Sequence, residues 1–176
     1  MTVREERPGD APAIRRVVER AFGQAEEADL VECLRRAGAV SISLVAVEDG
    51  DGVGAEPDGV VGHILFSPVT IEDCTPPVPA LGLAPMAVAP EYQRRGIGSA
   101  LIENGLTRCR DQGVGLVVVL GHPGYYPRFG FRPAHSVGLT CEYDSSPEAF
   151  MALELTLGAL DACTGLVRYH RAFAEF

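Results

Sequence analysis

Between residues 80 and 120 the chain spells out an apolar strand, a glycine-marked turn, an amphipathic helix and a second apolar strand. The first strand, 80–88, contains Pro85, which cannot donate to a sheet ladder, so pairing is expected to break there by a bulge or a splay. Gly96 opens a helix reaching about Gln112, with Ile97, Leu101, Ile102, Leu106 and Cys109 along one stripe and Gly113 stopping it. Residues 115–120 then form a continuous apolar run bounded by glycines, the pattern of a strand buried on both faces. A β–turn–α–β unit of this kind requires a sheet with helices packed against it, which places the chain among mixed α/β folds.

The flanking segments fit that frame. Residues 2–6 read as a short strand, broken by Pro8-Gly9-Asp10, with Asp10 offered as a helix N-cap. Ile14, Val17, Val18, Ala21 and Phe22 recur on one helical face and Gly23 ends the segment. A second helix is expected over 26–37, with Leu30, Val31 and Leu34 inward and Gly38 beyond its end. Strands follow at 41–47 and 59–71, the latter bending near Pro68, with a Gly- and Asp-rich exposed hairpin loop over 48–58 between them. Past Phe131 strands are expected at 151–157 and 166–170. There is no internal repeat and no linker, so residues 1–176 read as a single domain.

Composition narrows the functional classes. The chain has 176 residues, 47% of them hydrophobic, enough for one continuous core. Its net charge of -9, from 24 acidic and 15 basic residues, argues against nucleic acid or an anionic membrane as partner and suits a cationic acceptor in a general way. No apolar run approaches the ~18 residues of a membrane helix, and the N-terminus lacks a secretory core, so a cytoplasmic protein is expected. The five cysteines, Cys33, Cys74, Cys109, Cys141 and Cys163, are scattered without a Cys-x-x-Cys pair and read as reduced packing residues. His63, His122, His135 and His170 make no paired ligand pattern, so no metal site is expected.

The chemistry is concentrated in Met86-Ala87-Val88-Ala89-Pro90-Glu91-Tyr92-Gln93-Arg94-Arg95-Gly96-Ile97-Gly98-Ser99. A helix start offers unpaired N–H groups and a positive dipole end, and Gly96 and Gly98 remove side chains that would obstruct a phosphate. A tight turn that merely needs glycine is the plainer reading of Gly-x-Gly alone. Leu101 occupies the third-glycine position of a dinucleotide fingerprint, and no Gly-Lys-Ser/Thr is present for a nucleotide P-loop. The longer context Gln93-Arg94-Arg95-Gly96-Ile97-Gly98, with its Ala-Val-x-Pro-x-Tyr lead-in, resembles the Gln/Arg-x-x-Gly-x-Gly/Ala motif of the GNAT N-acetyltransferase superfamily, in the style of a small bacterial single-domain member.

That resemblance implies the family's acyl-CoA N-acyltransferase fold: a mixed, twisted sheet flanked by helices, with a CoA cleft where strands 80–88 and 115–120 part. It implies acetyl-CoA as acyl donor, its pyrophosphate bound by the backbone amides of Arg94, Arg95, Gly96, Ile97, Gly98 and Ser99, with Gln93 also binding the cofactor. Met86, Ala87 and Val88 would lie beside the pantetheine and thioester, with a backbone donor near Val88 stabilising the oxyanion. His122-Pro123-Gly124-Tyr125-Tyr126-Pro127-Arg128-Phe129-Gly130-Phe131 resembles the family's Tyr-x-x-x-Gly-Phe ending, which aligns Tyr126 with the tyrosine that protonates the departing thiolate. A phenol of ordinary pKa about 10 is protonated near neutrality and can serve as that acid. Tyr125 would line or pack the pocket, and His122 could contact the cofactor or relay a proton, or simply cap a strand end. Glu26, Glu27 and Glu154 are candidate bases that suit surface solvation equally well. The implied acceptor is a primary amine on a small molecule, peptide or protein, and the rival to an enzyme is a non-catalytic acyl-CoA-binding sensor or interaction module. The oligomeric state stays open, since Phe173 and Phe176 suit either an interface or the core.

Overall fold

A computed structural model of the protein describes residues 1–48, 59–143 and 145–175. Most of the expected 48–58 loop, and Phe176, lie outside the described residues. In chain order the elements are β1 (Thr2–Glu5), α1 (Ala11–Phe22), α2 (Glu26–Arg36), β2 (Ile42–Val47), β3 (Val60–Pro68), β4 (Thr70–Cys74), β5 (Ala80–Val88), α3 (Ile97–Asp111), β6 (Leu116–Leu120), β7 (Arg132–Pro133), β8 (Leu139–Cys141), β9 (Phe150–Glu154) and β10 (Cys163–Arg168). The architecture is mixed α/β, and the chain divides into two compact units.

The first unit comprises Met1–Phe66, Pro85–Leu106 and Ala172–Phe176. Its strands follow the order β1-β2-β3-β5. β1 and β2 pair antiparallel from Thr2↔Val47 to Glu5↔Leu44, and β2 pairs β3 antiparallel from Ile42↔Phe66, with a shift between Ala46 and Val47. α1 and α2 bury Ile14, Val17, Val18, Leu30, Val31 and Leu34 in one cluster with Val45 and Leu65 of the sheet. On their solvent side Arg15 reaches Glu19, Asp29 and Glu32 at 2.7–2.8 Å, joining the two helices. Asp10 stands at the N-cap position of α1, as expected, but makes no side-chain cap bond. Its carboxylate accepts both Arg4 guanidinium nitrogens and the Arg7 N–H, a stronger set of charge-assisted bonds than a cap offers. Phe22, expected inward, is exposed, because the helix ends one residue later at left-handed Gly23.

α3 covers the other face of β3, and glycine makes the approach possible. A Cβ on Gly62 would lie 3.0 Å from Leu101 and 3.2 Å from Ile97, and one on Gly105 would lie 2.5 Å from the Phe66 ring. The expected stripe Ile97, Leu101, Ile102, Leu106 and Cys109 is buried throughout. Burial pushes the Cys109 thiol up to about 12, so it is packing and not a nucleophile.

The second unit comprises Ser67–Ala84 and Thr107–Arg171. β5 runs parallel to β6 from Ala80↔Leu116 to Leu83↔Val119, and β9 pairs antiparallel with β6 and with the two-residue β7. Leu116, Val117, Val118 and Val119 are buried on both faces, each such side chain stabilising the fold by roughly 1.5–3 kcal/mol relative to exposure. A second sheet, β4-β10-β8, supplies Leu139, Cys163 and Val167 to one apolar cluster with Ala80, Leu116, Val118, Phe150 and Ala152.

Several sequence expectations are corrected here. The 59–71 segment is two strands separated at Val69, which belong to different sheets. The C-terminal strands are shifted from 151–157 and 166–170 to β9 and β10. Cys74 and Cys163 are not reduced: they face each other in register across β4 and β10 with Cα atoms 4.1 Å apart and form a disulfide. Among the described residues no helix is long and apolar enough to cross a membrane.

Candidate active site

In the first unit the end of β5 alternates. Ala87 and Ala89 are buried while Met86 and Val88 are half-buried, so the latter two share the more open face of the strand. The Ala89 N–H donates to the Val61 carbonyl at 2.9 Å, holding this end of β5 against β3. A short turn then reverses the chain, closed by the Tyr92 N–H on the Ala89 carbonyl at 2.8 Å and the Gln93 N–H on the Pro90 carbonyl at 3.3 Å. The Gln93 amide reaches back to donate to the Val88 carbonyl at 3.0 Å, tying the turn to the strand it leaves.

The backbone of the next residues turns through left-handed angles into the start of α3. Arg94 has φ 60° and Gly96 has φ 83°, two left-handed residues flanking Arg95. Left-handed residues in such a turn aim successive N–H groups toward one concavity. A Cβ on Gly96 would meet nothing within 4 Å, so glycine is needed there for its backbone angle and not for space. The first helical bond of α3 runs from the Ala100 N–H to the Gly96 carbonyl at 3.0 Å, and the N–H groups of Ile97, Gly98 and Ser99 stand before it at the positive end of a 15-residue helix. Arg94, Arg95 and Gly96 are exposed, whereas the Ile97 side chain is buried and anchors the helix start. The Arg95 guanidinium lies 5.1 Å over the Tyr92 ring, and the Tyr92 hydroxyl donates to Glu48 at 2.6 Å. Such a cradle suits a diphosphate.

The second unit holds the other sequence-predicted residues. Beyond β6 the Gly121 N–H donates to the Ala149 carbonyl at 2.9 Å, and the exposed His122 accepts at its carbonyl from the Tyr125 N–H at 2.9 Å and the Tyr126 N–H at 3.5 Å. Tyr126 begins a short 3-10 turn that left-handed Gly130, φ 93°, terminates. Its ring is buried, edge-on to Tyr125 at 5.3 Å and to Phe131 at 5.6 Å. Burial, with Tyr125 adding to it, pushes the Tyr126 phenol up to about 12, so it holds its proton throughout the physiological range. Tyr125 instead packs under the Arg128 guanidinium, 4.5 Å from its ring centre.

Sequence reasoning missed Gly121. A Cβ there would fall 2.3 Å from the Tyr126 ring, so the ring sits where it does only because position 121 has no side chain. A bare glycine at a strand end, five residues before the tyrosine, was the available signal. Of the candidate bases, Glu154 accepts the Leu160 N–H at 3.1 Å, while Glu26 and Glu27 meet the Gln24 amide at the start of α2.

The family described as Acetyltransferase (GNAT) domain matches residues 2–134. The uncharacterized N-acetyltransferase YhbS of Escherichia coli is 36% identical over 176 residues, covering all of both chains. A crystal structure of E. coli YhbS in complex with CoA superposes with a TM-score of 0.88 at 36% identity, covering 99% of this chain and 92% of that one. A GNAT family acetyltransferase from Brucella melitensis in complex with acetyl-CoA superposes with a TM-score of 0.77 at 38% identity, covering 98% and 97%. With a family match over most of its length and a full-length relative at this identity, the chain belongs to the GNAT N-acetyltransferases.

Proposed function

We propose that residues 1–176 act as one catalytic domain that binds acetyl-CoA and transfers its acetyl group directly to a primary amine. The observation that carries this reading is the backbone cradle from Gln93 to Ser99, with left-handed Arg94 and Gly96 leading into the start of α3. The CoA and acetyl-CoA held by the two similar structures support the choice of ligand.

In this reading the amides of Arg94 to Ser99 hold the pyrophosphate, and Arg94 and Arg95 screen its charge. Met86, Ala87 and Val88 flank the pantetheine, and His122 contacts the cofactor. The amine nitrogen attacks the thioester carbonyl carbon, forming the C–N bond while the carbonyl electrons move onto oxygen, where the Val88 N–H stabilises them. Collapse breaks the C–S bond, Tyr126 gives its proton to the leaving thiolate, and the nitrogen releases its extra proton to solvent. A cytoplasmic setting belongs to this reading, and no metal ion has a step in it.

Calorimetric titration of acetyl-CoA, combined with thiol-release assays on an amine panel, tests it. Wild type should bind saturably, Gly96→Val should lose binding while remaining folded, and Tyr126→Phe should bind normally but turn over about 100-fold more slowly. Absence of binding by folded wild type removes the proposal. Binding with no turnover on any amine would leave a CoA-binding module instead.

A further inference from the structure

Arg94 and Arg95 stand side by side and exposed in the turn before α3, but their surroundings differ. Arg94 sits at φ 60°, and its side chain makes no ion pair or ring contact among the described residues. The Arg95 guanidinium lies 5.1 Å over the Tyr92 ring, inside the roughly 6 Å at which a cation is drawn to an aromatic face.

That ring is itself fixed at both ends. The Tyr92 N–H donates to the Ala89 carbonyl at 2.8 Å, and the Tyr92 hydroxyl donates to Glu48 at 2.6 Å. Glu48 in turn continues the pairing of β2 with β3, its N–H donating to the Gly59 carbonyl at 2.8 Å, so the phenol is moored to the sheet. Tyr92 is only 8% exposed: a core residue carries a surface cation on its face.

Attraction to a ring face acts on the charge of a guanidinium and engages none of its N–H donors, which remain for an anion. The carboxylate placed to compete for them is Glu91, held below the usual carboxylate range by its own backbone N–H first, then by Arg20, with the Arg95 charge contributing least. Arg20 of α1 already bonds that carboxylate at 2.6 Å, and among the described residues no ion pair engages Arg95. Immobilising a long side chain on a ligand ordinarily costs affinity. Tyr92 has placed Arg95 beforehand, whereas Arg94 must be ordered when the ligand arrives.

Resting on the acetyl-CoA reading above, we propose that Tyr92 is a positioning residue of the cofactor site: its ring holds the Arg95 guanidinium ready for a diphosphate oxygen, and Arg95 contributes more to cofactor affinity than Arg94 does. The test is calorimetric titration of acetyl-CoA into full-length variants. Arg95→Met should raise Kd about tenfold and Arg94→Met about threefold or less. Tyr92→Phe keeps the ring face and should stay within about twofold of wild type. Pentafluorophenylalanine in place of Tyr92 fills nearly the same space but withdraws the negative ring face, and should bind about threefold more weakly than Tyr92→Phe. In the Arg95→Met chain those two rings should give the same Kd, because the cation they distinguish is gone. A residue that serves packing alone would show no difference between the rings, or the same difference with and without Arg95, and either result would overturn the assignment. Equal losses in Arg94→Met and Arg95→Met would overturn it too. Folded wild type that does not bind acetyl-CoA would sink the acetyl-transfer reading by itself. The same variants titrated with inorganic pyrophosphate then decide the Tyr92 assignment: the ring difference, present only with Arg95, supports it, and no difference or no binding removes it.

Discussion

At the scale of single residues, the proposed acid is set by what surrounds it more than by its own chemistry. Tyr126 is held edge-on between two aromatic rings and over the bare backbone of Gly121. Gly121→Ala therefore places a methyl group where the ring now stands, and the ring must move. The expected result is a turnover defect approaching that of Tyr126→Phe, with acetyl-CoA affinity close to wild type and an overpacking loss of about 1–3 kcal/mol in stability. Steady-state kinetics beside calorimetry would show it, and an unchanged kcat would mean that the ring position does not matter. The raised phenol pKa of about 12 has a second consequence. If Tyr126 is the acid, its own ionisation should impose no alkaline loss of kcat below about pH 10, whereas a tyrosine of ordinary pKa would begin to fail there. A kcat–pH profile that falls with a midpoint near 10 in wild type but stays flat in Tyr126→Phe would contradict this.

At the scale of elements, α3 lies on β3 because two glycines face side chains of the opposing element: Gly62 meets Leu101 and Ile97, and Gly105 meets the Phe66 ring. In an isolated helix Gly105→Ala would gain up to about 1 kcal/mol. Here its Cβ would stand 2.5 Å from Phe66, and overpacking should outweigh that gain, for a net loss of about 1–3 kcal/mol. Denaturant melts should show the loss, and Phe66→Leu in the same chain should recover part of it. α3 and β6 were legible in the sequence because each is long enough, or apolar enough, to display its period. β7 and β8, at two and three residues, are too short to display one, and they exist only because β9 and β10 are there to pair with them. The break at Pro68 was legible as a bend, but the move of Thr70–Cys74 into a second sheet depends on β10, 89 residues along the chain at the disulfide. The site divides in the same way. The cradle and Tyr126 follow from local motifs, while the close approach of Gly121 to the Tyr126 ring is a tertiary contact that no local pattern records.

At the scale of the whole molecule, one buried polar cluster should govern how stability depends on pH. His63 on β3 is fully buried, bonded through Nε2 to the Ser43 hydroxyl at 2.9 Å, and that hydroxyl also bonds Glu6. Glu6 is paired with Arg35 at 2.7 Å. Burial first, and the Arg35 charge second, push the His63 pKa down to about 3. In the unfolded chain the same ring protonates near pH 6.5, so between those values the unfolded state carries a proton that the native state refuses. The stability associated with His63 is therefore fully present above about pH 6.5 and is lost as pH falls toward 3, at about 1.4 kcal/mol per pH unit. Asp10, held below its ordinary value by Arg4, adds its loss only below the usual carboxylate range and so does not confuse the upper part of that window. Unfolding free energies measured at pH 7 and pH 5 should differ by about 2 kcal/mol in wild type. His63→Gln removes the titrating group while leaving Glu6, Arg35 and the exposed histidines in place, and should flatten the slope even though it lowers stability at pH 7. Equal slopes in the two proteins would show that the buried ring takes up its proton in the native state, and that the Glu6–Ser43–His63 cluster opens before the fold does.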